Sequence, residues 1–207
     1  LALEVSSSAL TQSQLETVQF DAAVFTGSGN CQPNGSIDVR RRLFTEHAPS
    51  FAVIDHDDSC GKRWFRELNG GMQMLSFGLQ KGAELRADIR SMDIEGMTIQ
   101  VDGPWGSEEV HTCLLGVFNA SNLLATAGTL ALLGMPWHRV LNQIELMQPV
   151  PGRMMRMGGD HGQPVVVIDY AHTPDALESA LQAVRSHLDG RLICVFGCGG
   201  NRDQGKR

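Results

Sequence analysis

The segment that most limits what this chain can fold into is residues 165–197. Val165, Val166, Val167 and Ile168 are four consecutive β-branched residues. Such a run, with no polar alternation, predicts a strand buried on both faces. Thr173, Pro174 and Asp175 then read as a helix start, with Thr173 as N-cap and Pro174 at the first helical position. Leu177, Leu181, Val184 and Leu188 follow at helical spacing. Residues 191–196, apolar after Arg191, read as the next strand and run into the glycine-rich turn from Gly197 to Gly200. Strand, helix and strand in that order predict a right-handed parallel crossover, the building unit of an α/β fold.

The upstream residues fit the same class. Residues 1–5 read as a short buried strand, and a polar helix runs on to about Val18. Residues 22–26 and 51–54 read as strands, and residues 40–46 and 61–68 as helices. Residues 27–36, rich in Gly, Ser, Asn and Pro, read as a loop. Across residues 73–115 the period becomes two, as in Leu85-Arg86-Ala87-Asp88-Ile89 and Met97-Thr98-Ile99-Gln100-Val101, with turn residues at Gly103-Pro104 and Trp105-Gly106. That pattern predicts antiparallel hairpins. Helices are predicted over 119–133 and 137–147, separated by Gly134-Met135-Pro136. Pro149 to Gly152 forms a joint, which divides the chain into residues 1–150 and 151–207. The expected fold class is α/β, a mixed sheet with antiparallel hairpins followed by the start of a second unit.

Bulk properties exclude some functions. A net charge of −6 gives no reason to expect nucleic-acid binding, so an anionic ligand would need local Arg, Lys or backbone amides. The five cysteines are scattered and read as reduced thiols in a reducing compartment, and Cys194 and Cys198 are too isolated from other ligands for zinc. No apolar run is long enough to span a membrane, and no signal peptide is visible. The first residue is not Met and both ends look cut, so a longer parent protein is expected.

Four places could carry chemistry. The run GCGGN, followed by Arg202, Lys206 and Arg207, could turn backbone amides and cations toward an anion, or could be a tight turn with solvated bases. Its spacing to Lys206 does not match a Walker loop. Asp169-Tyr170-Ala171-His172 lies at a strand's carboxyl end, where α/β sheets gather ligands. A carboxylate there can accept from ribose hydroxyls and a ring can lie against a base; the alternative is a capping turn with a buried Tyr. Glu4, followed by serines, could hold Mg2+ near phosphate oxygens or be only a polar strand edge. Asn119 and Asn122, at a helix start, could cap it or read an adenine edge. His47, His56, His111, His138, His161 and His187 show no ligand spacing and read as ordinary surface or core residues.

Taken in order, LEVSSSAL, VFTG, GVFNASNLLATAGTLALLG, PVPGRM, VVVIDYAHTPDALESAL and VFGCGGNRDQGKR resemble the UDP-N-acetylmuramoyl-tripeptide synthetases of the Mur ligase family. The resemblance covers nearly the whole chain and leans to the diaminopimelate-adding branch. It implies the later part of a central ATPase domain, then the first strands of a Rossmann-like C-terminal domain. It implies a monomeric, cytoplasmic, ATP-dependent ligase. Such a ligase phosphorylates the terminal carboxylate of UDP-MurNAc-L-Ala-D-Glu and joins a diamino acid to it, with Mg2+ as cofactor. By the same resemblance Glu4 matches a Mg2+ ligand, and Ser6 and Gln12 match contacts to the UDP-MurNAc-dipeptide. Asn119, Asn122, Arg153 and Asp169 match positions around ATP, and Arg202 one that meets the incoming amino acid.

The chain also departs from the family. Ser8 replaces a His, Gln14 replaces an Arg that helps bind the UDP substrate, and the segment after Thr26 is altered and shortened. Arg40 stands where the family has a carbamylated Lys, and a guanidinium cannot form that carbamate. The phosphate loop is expected upstream of Leu1 and the amino-acid-selecting motif downstream of Arg207, so these 207 residues are expected to be inactive and marginally stable by themselves. A non-catalytic nucleotide-binding relative, a lysine-adding enzyme and, more distantly, a folylpolyglutamate synthetase are the alternatives.

Overall fold

The structure, a computed structural model, describes residues 1–12, 14–27, 36–68, 71–159 and 162–197. Among these residues, strands β1 (Ala22–Phe25), β2 (Phe51–Asp55), β3 (Gln73–Gly78), β4 (Leu85–Asp93), β5 (Gly96–Gly103) and β6 (Gly106–Thr112) form one sheet in chain order. Neighbours from β1 to β4 are parallel; β4, β5 and β6 are antiparallel. The expected hairpins are therefore real, except that β3 belongs to the parallel part. The short connection between β3 and β4 is held by Glu84, whose carboxylate accepts from the amide and hydroxyl of Ser76 at 2.8 and 3.0 Å.

The period of two along β2 explains why this sheet is covered on both sides. Val53 faces one core, shared with Leu75, Phe77, Ile99 and Leu124. Helices α4 (Val117–Leu132) and α5 (Trp137–Glu145) supply the other wall. Ala52 and Ile54 face the opposite core, with Phe25, Phe44 and Trp64. That side is built by α2 (Ser36–Thr45) and α3 (Ser59–Glu67). Asp58 caps α3, its side chain accepting from the amides of Cys60 and Gly61. Cys60 is fully buried and disulfide-bonded, which departs from the reduced thiols expected.

A smaller unit follows. Strand β7 (Met155–Gly158) pairs antiparallel with β8 (Val165–Ile168), and α6 (Pro174–Ser186) follows with Thr173 and Pro174 in their expected capping places. Three expectations fail at this level, because a strand forms only where a neighbour takes its hydrogen bonds and is buried only where other elements cover its faces. Val165, Val166 and Ile168 are 37–49% exposed, so β8 is not buried on both faces. Residues 191–196 form no strand, Val195 being 92% exposed, so no parallel crossover closes. Residues 1–5 are not a strand either; Leu1 and Leu3 are exposed. The helix expected to reach Val18 is the short α1 (Ser7–Thr11), followed by turns. Most of the predicted loop over 27–36 lies outside the described residues. No helix among the described residues is long and apolar enough to cross a membrane.

Candidate functional site

The carboxyl end of β8 presents an exposed carboxylate beside an aromatic shelf. Asp169 Oδ1 accepts from the Ala171 amide at 2.8 Å, and Oδ2 accepts from the Met154 amide at 2.9 Å. The first bond fixes the turn out of the strand. The second ties β8 to the residue before β7, where Met154 holds a left-handed φ of +46° with its side chain buried. Tyr170 is 64% exposed rather than buried. The Arg153 guanidinium stands 5.1 Å from its ring centre, and the His172 ring lies 5.2 Å from it. An open ring flanked by a cation and a carboxylate can receive a planar base, a phosphate and hydroxyl donors together.

The expected second group opens α4. Its N-cap is Gly116, with no side-chain cap. Asn119 does not cap in the usual sense: its Nδ2 donates back to the Leu115 carbonyl at 2.8 Å, and its Oδ1 accepts from Asn122 Nδ2 at 3.2 Å. Leu115 links the two groups. Its carbonyl holds Asn119, and its side chain packs in one buried cluster with Met154, whose amide Asp169 holds. Asn119, Asn122, Arg153 and Asp169 are thereby brought to the two sides of one junction.

The N-terminal candidates form a separate, exposed cluster. Ser6 caps α1, accepting from the Ala9 amide at 3.2 Å, and shares a 2.9 Å hydrogen bond with Ser8. Gln12 accepts from Gln14 at 2.8 Å. Arg40, on α2, donates from Nε to Ser7 Oγ at 3.3 Å, which brings the departed lysine position against the segment expected to meet substrate. Glu4 is exposed. Among the described residues no three His, Cys, Asp or Glu side chains gather to hold a metal. A single free-standing carboxylate fits Mg2+ only in its usual sparse mode, with water and phosphate oxygens completing the shell. Arg202 lies outside the described residues.

Another strand-end carboxylate, Asp55, is 8% exposed, and burial pushes its carboxyl above the ordinary carboxylate range. The neighbouring charges of Asp57 and Asp58 push the same way, against backbone hydrogen bonds that favour the ion. His187, read from the sequence only as an ordinary surface or core residue, is buried and bonded through both ring nitrogens. No local pattern could have marked it, because its partners are 71 and 94 residues away.

The chain matches known protein families in two stretches. Residues 35–130 match the Mur ligase middle domain, and residues 152–207 match the Mur ligase, glutamate ligase domain. The UDP-N-acetylmuramoyl-L-alanyl-D-glutamate–2,6-diaminopimelate ligase of Xanthomonas campestris pv. campestris is 42% identical over 217 residues, covering all of this chain and 43% of that protein. The enzyme of the same name from Vibrio vulnificus is 41% identical over 213 residues, again all of this chain and 43% of the relative. The chain thus spans less than half the length of the curated relatives it matches. A solved structure of a ligase of that name superposes with a TM-score of 0.78 at 31% identity, over 99% of this chain and 44% of the other. MurF ligase from Thermotoga maritima in complex with ADP shares the fold, with a TM-score of 0.63 at 16% identity over 84% of this chain and 41% of its own. With both of its units matched in order and its whole length aligned to these enzymes, the chain belongs to the Mur ligase family.

Proposed function

We propose that the chain is part of an ATP-dependent amide-forming ligase that adds meso-diaminopimelate to UDP-N-acetylmuramoyl-L-alanyl-D-glutamate in peptidoglycan synthesis. The supporting observation is the junction at Leu115 and Met154, which joins Asn119 to Asp169, in a chain aligned end to end with ligases of that name. ATP gives its γ-phosphoryl group to the substrate carboxylate and ADP leaves. The amine of the incoming diamino acid then attacks the acyl carbon, and phosphate departs with the C–O electron pair. Asp169 would accept from ribose hydroxyls, Arg153 would meet phosphate, and Asn119 with Asn122 would face the adenine edge. Ser6 and Gln12 would contact the UDP-MurNAc-dipeptide, and Arg202 the carboxylate of the amino acid. Glu4 would hold Mg2+, which when bound neutralises charge on the transferring phosphoryl group. The division between the ATPase unit and the C-terminal unit falls between residues 150 and 151. Cytoplasmic location, a monomeric state and no nucleic-acid partner belong to the same reading.

A second reading has one specific observation behind it. Arg40 places a permanent cation beside Ser7, where the family resemblance implies a lysine carbamate. A non-catalytic relative would tolerate that change. The complete polypeptide, given ATP, Mg2+, UDP-MurNAc-L-Ala-D-Glu and either meso-diaminopimelate or lysine, separates these readings. Phosphate release that needs the dipeptide and diaminopimelate is expected. No release with either amino acid favours the non-catalytic relative, and release with lysine alone overturns the assigned amino acid.

A further inference from the structure

We infer that His187 is a positioning residue that ties the C-terminal unit to the opening of α4, an inference that rests on the nucleotide reading above. His187 follows α6 and is only 4% exposed. The Gly116 amide donates to its Nε2 at 2.8 Å, and its Nδ1 lies 2.6 Å from the Asp93 carbonyl oxygen. An amide can only donate and a carbonyl oxygen can only accept. These partners therefore assign the proton to Nδ1 and a lone pair to Nε2, and only the neutral ring in that tautomer satisfies both. The approach is close. Gly116 has φ +92°, and a Cβ there would meet the Phe118 ring at 2.8 Å and the Ala183 side chain of α6 at 3.1 Å. A side chain at 116 would strain the left-handed backbone and crowd both neighbours.

A second arm grips the same hairpin. Arg156 on β7 donates from both terminal nitrogens to the two Glu95 oxygens, at 2.7 and 2.5 Å. Asp93 and Glu95 lie at one β4–β5 turn, so two contacts from the C-terminal unit converge there. The arms are unequal. The Glu95 side chain is 68% exposed, and an exposed pair adds little even when forked. Losing the His187 ring would leave the buried Gly116 amide without its partner, which is more costly.

The consequence concerns geometry rather than contact. Gly116 is the N-cap of the helix that carries Asn119 and Asn122, while the C-terminal unit carries Arg153 and Asp169. Fixing one against the other sets the separation that a nucleotide touching both must span. ATP affinity then depends on His187 although the buried ring touches no ligand.

The test uses the complete polypeptide. His187→Phe keeps a ring and removes both hydrogen bonds. The KM for ATP is expected to rise about tenfold, with kcat at saturating ATP changed less than about twofold. His187→Gln, able to accept through Oε1 and donate through Nε2, is expected to recover most of that loss. A folded His187→Phe protein with the wild-type KM for ATP overturns the inference alone. A wild-type protein that binds no ATP overturns the nucleotide reading and the inference with it. Where His187→Phe does not fold, His187→Asn decides, because its shorter amide cannot span both the Gly116 amide and the Asp93 carbonyl. A raised KM for ATP is expected, and a folded His187→Asn protein with the wild-type KM overturns the inference.

Discussion

The chain contains the tripeptide Val-Ile-Asp twice, and the two copies end up as different objects. Val53-Ile54-Asp55 closes β2, and Val167-Ile168-Asp169 closes β8 and the turn after it. Locally they agree: each Asp accepts from the amide two residues on, at 2.8 Å. Their surroundings differ. β2 has a strand on either side and helices on both faces, and Ile54 is fully buried. β8 has β7 alone as its partner among the described residues, and Ile168 is 39% exposed. The same three residues thus yield a buried carboxylate in one place and an exposed one in the other. Sheet neighbours, not the strand's own sequence, decide which.

The sharpest way to break this comparison is to cut both isoleucines back. Ile54→Ala empties space in a closed core and is expected to cost about 2–5 kcal/mol, whereas Ile168→Ala should cost under about 1 kcal/mol. Denaturant unfolding followed by tryptophan fluorescence would read this, since Trp64 belongs to the Ile54 core. Equal losses would mean that β8 is covered as well as β2.

A second substitution tests why β2 is so tightly closed. A Cβ on Gly61 of α3 would stand 1.8 Å from the Asp55 carbonyl oxygen, a backbone atom that cannot swing aside. Gly61→Ala should cost about 1–3 kcal/mol by forcing α3 off the strand end. The measurement is the same unfolding curve, and an unchanged midpoint would show that the helix shifts freely. At the corresponding end of β8, Tyr170 lies open to solvent.

These contrasts show what was legible in the sequence and what was not. Caps and periods are local, so Thr173 with Pro174 and the alternation from Leu85 to Val101 could be read directly. The burial of an apolar run is not local. Residues 1–5, 165–168 and 191–196 all carry strand-like composition, yet only the second pairs, and with one neighbour. The site divides the same way. Asp169 was visible as a strand-end carboxylate, but its second bond needed Met154 in a left-handed conformation. Asn119 was visible as a helix-start amide, but its partner is the Leu115 carbonyl rather than the helix's free amides. His187 was invisible because both its partners are distant in sequence.

The smallest expected effect is also the most discriminating, because it differs in sign between the two aspartates. Asp55 keeps its carboxyl above the ordinary range chiefly through burial, so its ionised form costs stability in the folded state. The unfolded chain releases that proton near the usual value of about 4, before the folded chain does. Between the two values the folded state binds more protons, and stability falls as pH rises through the window. Above the folded-state value the full cost remains; below the ordinary carboxylate range it vanishes. Asp55→Asn removes the buried charge and keeps one oxygen for the Asp57 and Asp58 amides that the carboxylate holds, and because burial outweighs those bonds it should raise the melting temperature at neutral pH. That gain should shrink to nothing as the pH is lowered past the ordinary carboxylate value. Asp169→Asn should do the opposite. Both Asp169 oxygens accept backbone amides, and an asparagine has one oxygen to offer, so the Met154 or Ala171 amide loses its partner at a cost of about 1 kcal/mol. Melting curves of both variants across pH would show it. A stabilising Asp169→Asn, or an Asp55→Asn that gains nothing at neutral pH, would mean that burial does not separate the two copies as the packing of β2 and β8 requires.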